Sequence, residues 1–163
     1  MPTKYVLLFA AALAVFASSS ARSQVITHRD VGSHMAMKII AAAVAKCEQN
    51  GDGLTVAVVD REGVLRGFLM ADRAAPHYSE LAQRKAYTAL TSRKSSEDWA
   101  KATEPGSQIA GQRNMARVIP LAGGFPIKVG DETIGAVGVS GSQTSPDPVC
   151  AQAGLDAIAD ELK

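Results

Sequence analysis

Two pairs of short apolar segments, each pair joined by a tight polar turn, constrain the fold of this chain more than any other feature of its sequence. The segments are Leu54–Val59 with Val64–Met70, and Ile127–Val129 with Thr133–Ser140. The intervening turns contain Gly63 and Gly130, each beside acidic residues. Runs of β-branched residues joined by such turns predict β-hairpins, in which the two strands are antiparallel.

Helical patterns surround the two hairpins. The predicted helices lie at roughly 29–49 after a capping box at Thr27 and Asp30, from His77 to about Ser92, around Trp99, and from Pro146-Asp147-Pro148 onward. The segment 109–121 has no clear period, and we expect a short strand near Val118. The order helix, hairpin, helices, hairpin, helix predicts an α+β sandwich around one antiparallel sheet, and it excludes the Rossmann and TIM-barrel architectures.

The N-terminus has the layout of a secretory signal peptide. Lys4 precedes an apolar run from Tyr5 to Ala17, and small residues follow at 18–21. This pattern predicts a signal peptide at residues 1–23, with cleavage after Ala21 or Ser23, and a single domain at 24–163. The alternative is an uncleaved anchor. We expect a secreted or periplasmic protein with no membrane span in the mature chain, because no later apolar run approaches the roughly 20 residues that a spanning helix needs.

Charge argues against a nucleic-acid partner. The 163 residues include 17 basic and 16 acidic side chains. Removal of residues 1–23 would take Lys4 and Arg22 but no acid, which leaves 15 basic against 16 acidic side chains and a net charge of −1. Binding to DNA or RNA depends on the neutralisation of phosphates by clustered Lys and Arg, and a near-neutral domain does not supply it.

The chain has two cysteines, Cys47 and Cys150. In an oxidising compartment they form one candidate disulfide, and the alternative is a pair of buried free thiols. The bridge requires that the first and last helices share one face of the sheet. Two cysteines without a Cys-x-x-Cys motif are too few for a zinc site built from thiolates.

Five segments in order carry a family resemblance. They are 54–63 (LTVAVVDREG), 84–89 (RKAYTA), 123–127 (GGFPI), 134–141 (IGAVGVSG) and 150–155 (CAQAGL). Together they resemble the GlcG/HbpS haem-binding family over about the whole mature chain. The resemblance implies a profilin-like α-β-α sandwich, assembly into homo-oligomers, and binding of haem or a related tetrapyrrole, with haem degradation or iron binding in some members. The same domain occurs at the C-terminus of PduO-type corrinoid adenosyltransferases, where it likewise implies haem binding.

Haem requires apolar walls, one or two donors to iron, and cations near its propionates. Three histidines are available, and His77 is the candidate axial ligand because it follows a proline at a predicted helix start. His34, within the first helix, is the alternative ligand, and His28 in the capping region ranks below it. Further donor atoms are carried by Tyr78, Tyr87 and Met115, which also suit packing.

Other predicted haem contacts lie mostly on the same helix as His77. Lys85 and Thr88 follow His77 by eight and eleven residues, so the three side chains lie within about 60 degrees of one line along an ideal helix. The residues predicted to contact haem are therefore His77, Tyr78, Lys85, Thr88 and Arg93, with Phe125 from the second hairpin. The local basic cluster of Arg84, Lys85, Arg93 and Lys94 suits propionates, although such a cluster is also typical of a solvated helix face.

Three functions are consistent with these patterns. The first is an exported haem-binding protein that takes part in the handling or sensing of haem or iron. The second is an enzyme that degrades haem or transforms another small planar molecule, and the third is an extracytoplasmic partner of a sensor protein. No set of residues forms a recognisable catalytic motif, which favours a binding protein over an enzyme.

Overall fold

Four antiparallel strands form one sheet that is covered by helices on both faces. The computed structural model describes residues 25–47, 53–142 and 146–163, so the predicted signal peptide lies outside the described residues. The elements are α1 (Ser33–Cys47), β1 (Thr55–Asp60), β2 (Leu65–Met70), α2 (His77–Ser92), α3 (Ser96–Ala102), a 3-10 turn (Ala110–Asn114), β3 (Gly124–Val129), β4 (Glu132–Ser140), α4 (Asp147–Asp156) and a second 3-10 turn (Ala159–Leu162). The predicted profilin-like α-β-α sandwich, of the α+β class, is confirmed.

The sheet has the strand order β2-β1-β4-β3, and both predicted hairpins are present. The two hairpins meet in the middle of the sheet, where β1 pairs antiparallel with β4 from Thr55 opposite Ser140 to Asp60 opposite Gly135. The outer strands β2 and β3 are the sheet edges. The β1–β2 turn requires Gly63 at a φ of 76°, a conformation that costs glycine little because it has no Cβ.

Helices α1 and α4 cover one face of the sheet, where branched apolar side chains form the main core. Ile39 and Ile40 of α1 are fully buried there against Val56, Val58 and the facing residues of β4. Strand residues alternate between the two faces, which explains why Val56 and Val58 face this core while their neighbours face the other helix layer. Burial of these large side chains supplies most of the hydrophobic stabilisation.

A disulfide joins α1 to α4 across this core. Cys47 and Cys150 are fully buried, their Cα atoms are 5.7 Å apart, and the bridge closes a sequence separation of 103 residues. The sequence left two alternatives, a disulfide and a pair of buried free thiols, and the structure contains the disulfide.

Helix α2 lies very close to the opposite face of the sheet because only small residues separate them. Ala86 and Ala89 of α2 are buried against Val59 and Ala136. A Cβ at Gly138 would overlap the Ala82 carbonyl oxygen of α2. The position of α2 on the sheet is therefore set by contact between backbones, and not by interlocking of large side chains.

Two local predictions are wrong. Helix α1 begins at Ser33 and not at 29, because the Asp30 carboxylate accepts hydrogen bonds from the backbone of Val31 (2.8 Å) and Arg61 (3.0 Å) and therefore does not cap a helix. The segment around Val118 is not a strand. Val118 is buried, but its segment packs as a loop after the first 3-10 turn. The predicted end of the first helix at 49 lies outside the described residues.

Within the described ranges, no helix combines the length and the apolar character needed to cross a membrane.

Candidate functional site

A cleft of about 710 Å³ opens between the exposed side of α2, the β1–β2 turn and the loop that follows the first 3-10 turn. This volume lies within the roughly 300–1,000 Å³ that is usual for small-molecule sites. The α2 residues that line the cleft are His77, Ser79, Glu80, Gln83 and Arg84. Most of them recur at spacings of three or four, so they share one face of the helix.

Apolar residues form part of the lining. Leu65 of β2 and Pro76 before α2 supply hydrocarbon surface, Gly63 contributes backbone, and Val59 of β1 borders the cleft but is almost fully buried. Leu65 is 42% exposed, so its hydrocarbon is accessible from the cleft. An apolar wall next to ionised groups is the arrangement that accepts a flat, amphipathic ligand.

Arg84 connects α2 to the loop that forms the third wall. Its Nη2 donates to the Val118 carbonyl oxygen at 2.6 Å, and its Nη1 lies 3.1 Å from Glu80 Oε1. The Thr88 hydroxyl accepts a hydrogen bond from the backbone N–H of Ile119 at 2.8 Å. These contacts hold the loop against α2, so the shape of the cleft depends on side chains and not only on the backbone fold.

Arg117 extends from the loop into the cleft in an uncommon backbone conformation. Its φ is 69°, in the left-handed region that non-glycine residues rarely adopt. Its guanidinium carbon lies 3.9 Å from the centroid of the Tyr87 ring, and its Nη2 donates to the Gly63 carbonyl oxygen at 2.9 Å. Cation–π contact and this hydrogen bond therefore fix a second guanidinium in the cleft.

His77 is the first residue of α2, and its imidazole is exposed at one end of the cleft. Its ring centroid lies 4.4 Å from that of Tyr78, and the two planes are inclined by 58°. Tyr78 is half-buried and packs over Gly141, which makes its ring a support for His77. An accessible imidazole nitrogen next to a large open volume is a suitable donor to a metal in a bound cofactor.

The structure corrects the predicted roles of Lys85 and Thr88. Lys85 is 3% exposed, and its ammonium donates to the Val139 carbonyl oxygen (3.0 Å), the Ser140 hydroxyl (3.3 Å) and the Asp147 carboxylate (2.6 Å). Thr88 is fully buried beneath the loop. Helical spacing predicted that both side chains lie on the same side of α2 as His77. In the structure, Lys85 is covered by the sheet and Thr88 is covered by the loop. Neither side chain is therefore available to a ligand in the cleft.

The other predicted contacts are spread over the surface. Arg93 lies just after the C-terminal end of α2, at the far end of the helix from His77, and lines a separate cavity of about 260 Å³. Phe125 packs against the core on the α1 side of the sheet, which excludes it from the cleft. His34 is exposed near the start of α1 and His28 precedes that helix, so neither lines this cleft. Of the predicted set, the structure places only His77 in the cleft, with Tyr78 behind it.

Sequence reasoning missed Arg117 entirely. Its segment has no periodic pattern, and its role depends on a loop path that brings it to Tyr87 and Gly63. Arg84 was identified as part of a basic cluster, but its partners in that cluster do not line the cleft. Within the described ranges, no group of three or more His, Cys, Asp or Glu side chains is arranged to hold a metal ion.

Comparison with known proteins places this architecture in a family. A family model described as "Haem degrading protein HbpS-like" matches residues 31–156. The chain belongs to the HbpS-like family. Protein GlcG of Escherichia coli strain K12 is 31% identical over 110 residues, which cover 68% of this chain and 81% of GlcG. The GlcG/HbpS resemblance of the sequence motifs is thus confirmed.

Solved structures of the HbpS-like family agree with the fold. A double mutant of HbpS from Streptomyces reticuli superimposes with a TM-score of 0.77 at 28% identity, over 86% of this chain and 94% of that chain. A complex of PduOC with heme superimposes with a TM-score of 0.73 at 26% identity, over 79% of this chain and 95% of that chain. Haem binding is therefore supported at the level of the family.

Proposed function

We propose that this chain is an exported haem-binding protein and that haem binds in the cleft at the start of α2. The observation that carries the proposal is one open volume of about 710 Å³ that combines the His77 imidazole, two guanidinium groups and an apolar wall. Haem is an apolar disc with a metal at its centre and two carboxylates at its rim, and these three features match its chemistry.

The residues of the cleft have distinct roles in this proposal. His77 would donate to the iron, while Leu65 and Pro76 would contact the apolar ring. Haem, when bound, supplies a redox-active iron whose reactivity depends on its axial ligand and on the polarity of its pocket. The protein contributes binding, orientation and partial exclusion of water.

Titration of the purified protein with haemin tests the proposal directly. We expect a saturable shift of the Soret band with about one haem per subunit or per pair of subunits. The His77→Ala variant is expected to change the band position and to weaken binding. The matched control is His34→Ala, which removes an exposed histidine on the opposite side of the sheet. A wild-type protein without a saturable shift contradicts the proposed function, whereas an altered spectrum in the control alone moves the axial ligand to His34.

The family description favours haem degradation as a second candidate function. A degrading enzyme is expected to lose its Soret band and release iron when a reductant or peroxide is supplied to the haem-loaded protein. A binding protein is expected to lose its Soret band no faster than free haemin mixed with an unrelated protein under the same conditions.

Export and self-association are further parts of the proposal. The apolar run at 5–17 supports a signal peptide, and the buried disulfide suits an oxidising compartment. The exposed apolar side chains Val64 and Phe68 at or beside the sheet edge support a homo-oligomer. The intact mass of protein recovered from the periplasm or medium tests cleavage near residue 23, and light scattering measures the number of subunits.

A further inference from the structure

The two guanidinium groups of the cleft are held in place before any ligand arrives. Arg84 is anchored by the Val118 carbonyl oxygen, and Arg117 is anchored by the Tyr87 ring and the Gly63 carbonyl oxygen. A guanidinium carries five N–H donors, and these contacts use only some of them. The Arg84 side chain is 33% exposed, so part of it is open to the cleft. Donors therefore remain for an acceptor that a ligand brings.

Arg117 has a backbone conformation that its surroundings must hold in place. A residue at a φ of 69° is maintained only where its surroundings hold it, and such residues concentrate at ligand sites. Here the surroundings hold the guanidinium over the Tyr87 ring, with its carbon 3.9 Å from the ring centroid, at the edge of the cleft. A planar, oriented guanidinium is the group that binds a carboxylate through two parallel hydrogen bonds.

The charge of the cleft favours an anion. Arg84 and Arg117 contribute +2 and Glu80 contributes −1, which gives a net charge of +1 with His77 neutral. The Glu80 side chain is largely exposed, and it competes for Arg84 from the adjacent helical turn. An exposed pair of this kind is weak, so a carboxylate held inside the cleft can replace it.

We propose that Arg84 and Arg117 form a carboxylate subsite, which makes the cleft selective for tetrapyrroles with free acid side chains over their esters. This inference rests on the proposed haem-binding function and adds the ligand class that the site selects. It also assigns Glu80 as a competing carboxylate whose removal strengthens binding.

Iron-free protoporphyrin IX and its dimethyl ester are the probes, because neither depends on an axial ligand. Arg117→Asn removes the guanidinium and keeps a residue that tolerates the left-handed conformation. The matched control is Arg93→Asn, since Arg93 has a similar φ of 57° and the same charge but lies outside the cleft. Fluorescence titration gives the dissociation constant for each combination of protein variant and porphyrin.

We expect Arg117→Asn to weaken binding of the free acid about tenfold, the effect of one lost charge-assisted hydrogen-bond pair. Arg93→Asn is expected to stay within about twofold of the wild type, and Glu80→Gln to bind the free acid about threefold more tightly. With the dimethyl ester, all three variants are expected to match the wild type. The opposite effects of the Arg117 and Glu80 variants separate a charge subsite from a general loss of structure.

Two outcomes overturn the subsite. One is an equal loss of affinity for acid and ester in Arg117→Asn, and the other is an equal effect of the Arg117 and Arg93 substitutions. Both leave haem binding intact if the wild type still gives a saturable Soret shift with haemin. A wild type that binds neither haemin nor protoporphyrin overturns the proposed function together with the subsite.

Discussion

The Lys85 ammonium is buried and donates to three acceptors, and its substitution tests how much this arrangement stabilises the fold. The Lys85→Met variant keeps most of the apolar stem but removes the ammonium group. It leaves the Val139 carbonyl oxygen, the Ser140 hydroxyl and the Asp147 carboxylate without their common donor. Removal of one member of a buried ion pair costs about 3–5 kcal/mol.

The expected magnitude lies at the lower end of that range. The Asp147 side chain is 20% exposed and still accepts a hydrogen bond from the Ser142 backbone N–H at 3.2 Å. Water and this bond compensate part of the loss, so we expect Lys85→Met to lower the free energy of unfolding by about 3 kcal/mol. In the Asp147→Asn background the same substitution is expected to cost less by at least about 1 kcal/mol, because the uncompensated charge is absent.

Equilibrium unfolding in urea measures both quantities, and Trp99 serves as the probe because it is buried and is the only tryptophan of the chain. The control is Lys101→Met, which removes a lysine from an exposed pair with Glu97 and is expected to change stability by less than about 0.5 kcal/mol. A cost below about 1 kcal/mol for Lys85→Met, or no coupling to Asp147, refutes the reasoning. Haemin affinity of folded Lys85→Met is expected to match the wild type, whereas a direct ligand contact predicts weaker binding.

Three further outcomes follow from the fold. Replacement of Cys47 and Cys150 by Ala removes a bridge across 103 residues and is expected to lower the free energy of unfolding by up to about 4.7 kcal/mol, measured in urea against the oxidised wild type. Gly138→Ala forces a Cβ into the backbone of α2 and is expected to abolish folding or lower the melting temperature by well over 10 °C, while Gly111→Ala, with open space around it, leaves the melting temperature unchanged. Ser95→Ala removes the side-chain oxygen that accepts a hydrogen bond from the start of α3, and calorimetry is expected to show a loss of about 1 kcal/mol.

The sheet and its layers could be predicted because their signals are local. The turns at Gly63 and Gly130 and the β-branched runs beside them predict two hairpins without any knowledge of how the hairpins pair with each other. The start of α2 at His77 follows from the proline before it, since proline is favoured at helix starts. Because the hairpins are antiparallel and helices lie at both ends of the chain, few ways remain to combine the sheet and the helices in one domain.

The site could not be predicted to the same extent because burial along one helix is not periodic. His77 and Thr88 lie near one line of α2, yet the loop covers only Thr88. The path of that loop depends on contacts between distant segments, such as Arg117 with Gly63. Helical spacing specifies an angle around the axis, and it does not specify what packs above each turn.

The close approach of α2 to the sheet has a consequence for any attempt to redesign the cleft. Because the interface between α2 and the sheet consists of glycine and alanine, it has no large side chains that could be shortened and no gap that would let the helix move. Space for a bulkier ligand has to come from the wall that faces α2, where the β1–β2 turn and the 115–121 loop are joined by Arg117. Engineered variants that bind larger ligands should therefore carry their changes there, and mutational libraries aimed at the sheet-facing residues of α2 should return mostly unfolded protein.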